Sequence, residues 1–126
     1  MALHESAEMY LETIYQLSLQ REGVRSIDVA EALNYSRPSV SRAVGLLKQD
    51  GYLETDDDGF LKLTQLGKTT AEDIYERHTT LSAALMALGV DEETAAEDAC
   101  KIEHVISEKT LNAIKAYMKK NENIFK

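Results

Sequence analysis

The sequence predicts a mainly α-helical protein that contains a winged helix-turn-helix. Three observations support this prediction. A short helix, a tight turn and a capped second helix fall within residues 24–50, a β-hairpin signal follows directly, and the remaining long segments carry apolar residues at helical spacing. With 126 residues, the chain can form one compact unit or two small subdomains that share a core.

Composition limits where the protein works and what it binds. A single cysteine allows no internal disulfide framework, which fits a reducing compartment. No stretch is long enough to cross a bilayer and no signal peptide precedes the first helix, so we expect a cytoplasmic protein without a membrane partner. The net charge of -8 disfavours general affinity for polyanions, so contact with DNA requires a local basic face.

Residues 1–22 are predicted to form the first helix, which Gly23 ends. Leu11, Ile14 and Leu17 give this helix an apolar side. Met9 and Glu12 are three positions apart and therefore share a face. Taken alone, a methionine in such a helix is more often part of the core than of a site.

The next segment has the pattern of a helix-turn-helix. Residues 26–33 form a short helix, and Asn34 and Tyr35 make a tight turn. Ser36 then caps a second helix whose apolar residues recur at helical spacing, with Pro38 in its first turn, where proline is tolerated.

The second helix has a polar face that suits DNA. In a chain this acidic, it is informative that no acidic residue occurs between Ser36 and Gln49. Serine hydroxyls and a helix N-terminus suit phosphate oxygens, and arginine suits phosphate or guanine. A helical hairpin with a solvated polar face is the alternative interpretation. The candidate DNA-binding residues of this helix are Ser36, Arg37, Pro38, Ser39, Ser41, Arg42 and Lys48.

A β-hairpin directly after this helix would form a wing. Residues 52–55 and 60–63 have strand character and are joined around Asp58-Gly59, which is a hairpin signal. The run from Asp56 to Asp58 makes the tip acidic, so the tip should avoid close contact with phosphate. We therefore expect Lys62 to be the more useful DNA-binding residue of the wing.

The remaining chain is predicted to form three helices. The first runs from residue 64 to about residue 88 and places His78 within the apolar stripe Ile74, His78, Leu81, Leu85 and Leu88; a lone histidine there is more often a core residue than a ligand. The second begins after Asp91, a plausible N-cap, and the last spans residues 108–119.

The second of these helices carries Cys100, Glu103 and His104. Residues three and four apart lie on one helix face, so a thiolate, a carboxylate and an imidazole converge there. Divalent Fe, Co, Ni and Zn accept such a mixture of donors. Alone, the pattern is more often a buried cysteine beside an ordinary solvated pair than a metal site.

Several blocks stand in a distinctive order along the chain: Glu8–Tyr15, Asp28–Leu33, Ser39–Ser41, Arg77-His78, Leu88–Asp91 and Cys100–His104. In their order and spacing the chain resembles the diphtheria-toxin-repressor family over nearly its whole length. These proteins are metal-dependent transcriptional repressors and include iron-dependent repressors and manganese transport regulators. The C-terminal SH3-like domain of the longer members has no counterpart in these residues.

The resemblance implies a mainly α fold with two domains. Residues 1–70 would form the winged helix-turn-helix DNA-binding domain, whose first helix also supplies metal ligands. Residues 71–126 would form a helical metal-binding and dimerisation domain.

The resemblance also implies a ligand set. Met9, Cys100, Glu103 and His104 match the effector site of iron-type members. Glu12 and His78 match ligands of the manganese-type two-metal site, so a second ion is a hypothesis. The ancillary site of iron-type members should be altered or absent, because Ser82 and Ala96 replace two of its ligands.

The function implied is a metal-dependent repressor that binds operator DNA as a homodimer when loaded with a divalent metal. Thiolate and thioether donors select against Mn(II), so we expect Fe(II), with Mn(II) as the alternative and Co(II), Ni(II) or Zn(II) as substitutes in vitro. A winged-helix regulator that responds to a small organic ligand is a further alternative. No enzyme is expected, because the sequence contains neither Glu-x-x-His pairs nor His-Glu-x-x-His.

Overall fold

The computed structural model of the chain describes residues 5–121. Within them, six helices and one two-stranded sheet follow one another, so the predicted mainly α fold is confirmed. The elements are α1 Glu5–Gln20, α2 Ser26–Leu33, α3 Arg37–Gln49, β1 Leu53–Thr55, β2 Leu61–Leu63, α4 Gln65–Ala87, α5 Glu92–Ile102 and α6 Glu108–Lys120. Residues 1–4 of the predicted first helix lie outside the described part of the chain.

The chain divides into two compact units. The first unit ends at Asp73 and the second begins at Ile74, so the boundary falls within α4. None of the helices in residues 5–121 combines the length and the apolar character needed to cross a membrane.

The core of the first unit is built from the apolar stripes of α1, α2 and α3, from Ala71 in the first part of α4, and from the sheet. In α3, Val40, Val44 and Leu47 recur at helical spacing and are all buried, as predicted. Leu11 and Ile14 of α1 pack in the same cluster. Full burial of one such side chain contributes about 1.5–3 kcal/mol, which is why the stripe fixes which face of α3 remains outside.

Local chemistry sets the turn between α2 and α3. Asn34 follows α2 in the left-handed conformation (φ 57°, ψ 42°), which asparagine tolerates better than most residues. Ser36 is the N-cap of α3, and its Oγ accepts a hydrogen bond from the backbone N–H of Ser39 at 3.3 Å. The turn therefore starts α3 at Arg37 with its first-turn side chains exposed.

The wing is a short antiparallel hairpin in which Glu54 pairs with Lys62. Asp56 organises its tip, because Oδ1 accepts hydrogen bonds from the N–H groups of Asp58 (2.9 Å) and Phe60 (3.0 Å). Gly59 adopts a positive φ of 84°, a conformation that favours glycine.

The core of the second unit is small. Leu81, Ala99 and Leu111 are buried, and Ile102, Ile106 and Ile114 pack against them. Asp91 and Ser107 cap α5 and α6, each accepting a hydrogen bond from a backbone N–H three residues on.

One member of the predicted α4 stripe lies elsewhere. Leu88 is 81% exposed; it follows the end of α4 at Ala87, its N–H still donates to Ala84 O at 3.2 Å, and the chain turns at Gly89, where φ is 104°. Helical spacing alone therefore does not predict whether the last residue of the stripe is buried.

Candidate metal centre

The end of α5 brings three possible metal ligands together. The helix was predicted to continue through His104, but it ends at Ile102. Glu103 nevertheless keeps helical angles (φ -58°, ψ -26°), and its N–H donates to Ala99 O at 2.9 Å. Cys100, Glu103 and His104 therefore remain on one side of the chain although the last two lie beyond the helix.

The three side chains offer one sulfur, one oxygen and one nitrogen, all within 4.8 Å of one another. Glu103 is fully buried and the His104 side chain is 1% exposed, while Cys100 is half-buried. Oε1 of Glu103 lies 3.4 Å from Nε2 of His104. A mixed thiolate, carboxylate and imidazole set in a space of this size fits an intermediate or soft divalent ion.

Helix α4 holds Glu103 from two sides. Nδ1 of His78 lies 2.9 Å from Oε2 of Glu103. The preceding residue, Arg77, donates from Nη1 to the backbone carbonyl oxygen of Glu103 at 2.8 Å. Because a buried carboxylate is costly without charged or hydrogen-bonding neighbours, these contacts are what allow Glu103 to lie in the interior.

Arg77 was not predicted as a site residue. Its contact with Glu103 joins positions 26 apart, which no local pattern reveals. The available signal was its place immediately before His78, a residue that the sequence did single out.

Met9 and Glu12 lie on α1 in the first unit. Met9 Sδ accepts a hydrogen bond from the hydroxyl of Tyr35 at 3.5 Å. Oε1 of Glu12 accepts one from Gln16 at 3.3 Å, whereas its Oε2 is buried and has no hydrogen-bond partner within the described residues. An orphaned carboxylate oxygen on a residue only 8% exposed fits a cation ligand, but the assignment of Met9 and Glu12 as ligands stays a prediction.

The predicted DNA-binding face of α3 is at the surface. All seven predicted residues of its N-cap and helix are exposed: Ser36, Arg37, Pro38, Ser39, Ser41, Arg42 and Lys48. Two of the hydroxyls also serve the cap, because Ser36 Oγ donates to Ser39 Oγ at 2.8 Å. Helix α3 contains no acidic residue that could pair with its two arginines.

Lys62 of the wing has acidic neighbours. Its Nζ lies 4.0 Å from Oδ2 of Asp56, and Glu54 is its partner across the hairpin. Its side chain is half exposed, so the pair is a weak surface interaction. The role of Lys62 as a phosphate contact stays a prediction, and these carboxylates reduce the positive potential that it offers.

Two family models match the chain in succession. Residues 2–61 match the model described as the N-terminal DNA-binding domain of the iron dependent repressor, and residues 64–123 match its metal binding and dimerisation domain.

Similar proteins point to the same family as the two family models. An uncharacterised HTH-type transcriptional regulator of Methanocaldococcus jannaschii is 32% identical over 120 residues, covering 94% of this chain and 96% of its own. The HTH-type transcriptional regulator MntR of Lysinibacillus sphaericus is 36% identical, with 86% and 78% covered. The iron-dependent repressor IdeR of Mycobacterium tuberculosis is 37% identical over 84% of this chain, which spans about half (46%) of the length of that relative.

Solved structures show the same architecture. The manganese regulator SloR superimposes with a TM-score of 0.80 at 27% identity, and IdeR of T. acidophilum with 0.80 at 26%; each match covers 94% of this chain and 55% of the other. The winged helix-turn-helix followed by a helical metal-binding and dimerisation domain is thus the fold of this chain. Together with the relatives above 30% identity, these matches show that the chain belongs to the iron-dependent repressor family of metal-dependent transcriptional repressors.

Proposed function

We propose that this protein is a repressor that binds operator DNA as a homodimer when it is loaded with a divalent metal, that this metal is Fe(II), and that the protein thereby controls metal homeostasis. The observation that carries the proposal is the cluster of Cys100, Glu103 and His104, whose donor atoms lie within 4.8 Å of one another. We propose Met9, Glu12 and His78 as further ligands, as the resemblance implies.

The donor types favour Fe(II) over Mn(II). Mn(II) prefers oxygen donors, whereas a thiolate from Cys100 and a thioether from Met9 favour later and softer ions. The ligands must lose their protons to bind, so metal loading releases protons from the thiol and the imidazole. When bound, the ion supplies positive charge and fixes the orientation of the ligands.

Mn(II) is the second candidate, and one contact favours it. Nδ1 of His78 lies 2.9 Å from Oε2 of Glu103. The Glu103 carboxylate therefore has two imidazoles beside it, those of His78 and His104. The buried Oε2 of Glu12 adds an oxygen donor. Oxygen and nitrogen donors of this kind suit Mn(II) when sulfur contributes little.

Metal controls DNA binding only through differential affinity. A ligand shifts a protein toward the DNA-binding state by as much as it prefers that state, and DNA must strengthen metal binding by the same factor. In a homodimer, two α3 helices would read half-sites one helical turn or a multiple apart. With a net charge of -8, the chain also benefits from a cation that neutralises buried carboxylate.

An anaerobic binding titration tests the proposal. Random DNA duplexes are first selected with the Fe(II)-loaded protein, and the selected duplex is then titrated by fluorescence anisotropy with Fe(II), with Mn(II) and with chelator. We expect strong binding with Fe(II) and loss of binding with chelator. Equal DNA affinity with and without metal would contradict the proposal.

Two variants assign the site and the metal. Cys100→Ala should remove the stimulation by Fe(II) while circular dichroism shows an intact fold. The double change Met9→Asp with Cys100→Glu should lower the Mn(II) concentration needed for DNA binding relative to that of Fe(II). An unchanged order of the two metals would show that sulfur does not set the preference.

A further inference from the structure

Tyr35 occupies a sensitive position in the helix-turn-helix. It stands between Asn34, which ends α2, and Ser36, the N-cap of α3. Its backbone N–H donates to Ala30 O at 3.1 Å, which ties it to the end of α2. Since one peptide bond separates Tyr35 from the N-cap, a displacement of Tyr35 changes where α3 begins.

The side chain of Tyr35 is attached to α1 by two contacts. Its hydroxyl donates to Sδ of Met9 at 3.5 Å. Its ring packs edge-on against the ring of Tyr10, with centroids 5.8 Å apart and planes at 66°. Neighbouring residues of α1 therefore receive the hydroxyl and the ring separately.

The first of these contacts involves a proposed metal ligand. A thioether sulfur has two lone pairs, so it can accept a hydrogen bond from the Tyr35 hydroxyl with one and keep the other for a soft cation. Methionine is flexible, with three rotatable side-chain bonds beyond the backbone. A hydrogen bond to Sδ limits the positions of that sulfur and links them to the position of the turn.

We infer that Tyr35 is a positioning residue that couples metal ligation at Met9 to the placement of α3. The inference rests on the proposed function, because it requires that metal stimulates DNA binding and that Met9 is a ligand. A metal ion that fixes Sδ of Met9 also fixes the acceptor of the Tyr35 hydroxyl. Part of the metal-binding free energy then stabilises the conformation of the turn between α2 and α3, and with it the position at which α3 begins.

The test is Tyr35→Phe, which removes the hydroxyl and keeps the ring against Tyr10. DNA affinity is measured for each protein with saturating Fe(II) and with chelator, and the ratio of the two is the coupling. We expect the ratio to fall about two- to tenfold, the range that corresponds to one net hydrogen bond. By reciprocity, the strengthening of Co(II) binding by DNA, followed by absorption, should fall by the same factor.

Tyr10→Phe is the matched control, because it removes the hydroxyl from the ring partner of Tyr35 and leaves the contact with Met9. Its ratio should equal that of the wild-type protein. Met9→Leu completes a double-mutant cycle: adding Tyr35→Phe to it should change nothing further, since the acceptor is gone.

The outcomes separate the inference from the function on which it rests. A wild-type protein whose DNA affinity ignores metal overturns the proposed function and the inference together. A wild-type protein that responds to metal, with a Tyr35→Phe ratio that is unchanged, overturns the inference alone. A Tyr35→Phe variant that loses affinity equally with and without metal would show a structural or DNA-contact role instead, and an undiminished effect in the Met9→Leu background would also overturn it.

Discussion

Helix α3 places its polar side chains on the surface, whereas the end of α5 buries them. Both helices begin in the same way, with a side chain that accepts a hydrogen bond from the backbone three residues on. In α3 the arginines, serines and lysine surround a buried stripe of valine and leucine. At the end of α5, Glu103 is 0% exposed and the His104 side chain 1% exposed.

The charges are reversed as well. Helix α3 has no acidic residue, while α5 carries Glu92, Glu93, Glu97 and Asp98 on its exposed surface. Exposed cationic groups suit a large polyanion that approaches from outside. A buried carboxylate between imidazoles suits only a ligand small enough to enter. Under the proposed function, the same chain would therefore present one surface to DNA and one interior site to an ion.

The largest effect should come from a change at the buried carboxylate of Glu103. Glu103→Gln keeps the shape of the side chain but removes the charged donor that both imidazoles approach. We expect metal affinity to fall by more than about 100-fold, beyond the 10–100-fold typical of residues that only orient a ligand. Competition against a chromophoric chelator measures it.

Glu97→Gln is the control for Glu103→Gln, because it removes one negative charge from the exposed surface of α5, the helix that leads to Glu103. Its metal affinity should stay close to that of the wild-type protein. A similar loss in both variants would mean that overall charge, not the buried site, determines binding.

The next largest effect should come from the exposed arginines of α3. Arg37→Ala or Arg42→Ala should weaken binding to the selected duplex by about 1–3 kcal/mol for a base contact, or reduce the salt dependence for a phosphate contact. Metal affinity without DNA should not change. Anisotropy titrations at several salt concentrations distinguish these contributions.

Lys119→Ala provides the matched change, since it removes an exposed cation from α6 in the second unit. DNA affinity should respond much less to it than to loss of either arginine. If Arg37→Ala and Arg42→Ala instead abolish metal binding, the assignment of α3 is wrong.

The sequence predicts where α3 begins and which of its faces is buried, because the determinants of both are local. Ser36, Pro38 and the stripe of Val40, Val44 and Leu47 are all within one helix, and capping and periodicity define where that helix begins and which face is buried. The prediction of a mainly α fold with a winged helix-turn-helix rested on such signals.

The surroundings of Glu103 and Met9 depend on contacts between residues that are distant in sequence. Arg77 contacts Glu103 and Tyr35 contacts Met9 across 26 positions in each case, and neither contact was predicted. Periodicity also could not show that α5 ends at Ile102, because the chain keeps helical angles for one residue more. Tertiary packing, which the sequence pattern does not contain, decides these details.

A smaller effect should follow from Arg77→Ala. The variant loses the hydrogen bond to the Glu103 carbonyl but keeps His78 beside the carboxylate. We expect metal affinity to fall about tenfold, at the lower end for a residue that orients a ligand, and the Co(II) absorption spectrum to change in shape. Arg77→Lys should restore part of the affinity.

Lys115→Ala is the comparison for Arg77→Ala. It breaks the ion pair of Lys115 Nζ with Glu76 Oε1, 2.9 Å long, which involves the residue of α4 next to Arg77. The Co(II) spectrum of Lys115→Ala should match that of the wild-type protein. An equal change in the two variants would indicate general loosening of α4.

The smallest effect concerns the start of α5, where this helix and α3 are alike. Asp91→Ala removes the N-cap that accepts from Thr94 N–H at 3.0 Å, and it should lower stability toward urea at neutral pH. Hydrogen bonding from the Thr94 backbone holds the pKa of the Asp91 carboxyl below its usual value. A lowered folded-state pKa means that the stabilisation is complete above the unfolded-state pKa and is lost as the pH falls through the folded-state value.

The difference between wild-type protein and Asp91→Ala should therefore shrink when urea unfolding is repeated at decreasing acidic pH. Ser107→Ala supplies the contrast, because Ser107 caps α6 with a hydroxyl that does not titrate in this range. Its effect on stability should stay constant over the same pH series. If the Asp91→Ala difference also stayed constant, the carboxylate charge would contribute nothing beyond the hydrogen bond, and α5 would be capped in the same way as α3 despite its acidic first turn.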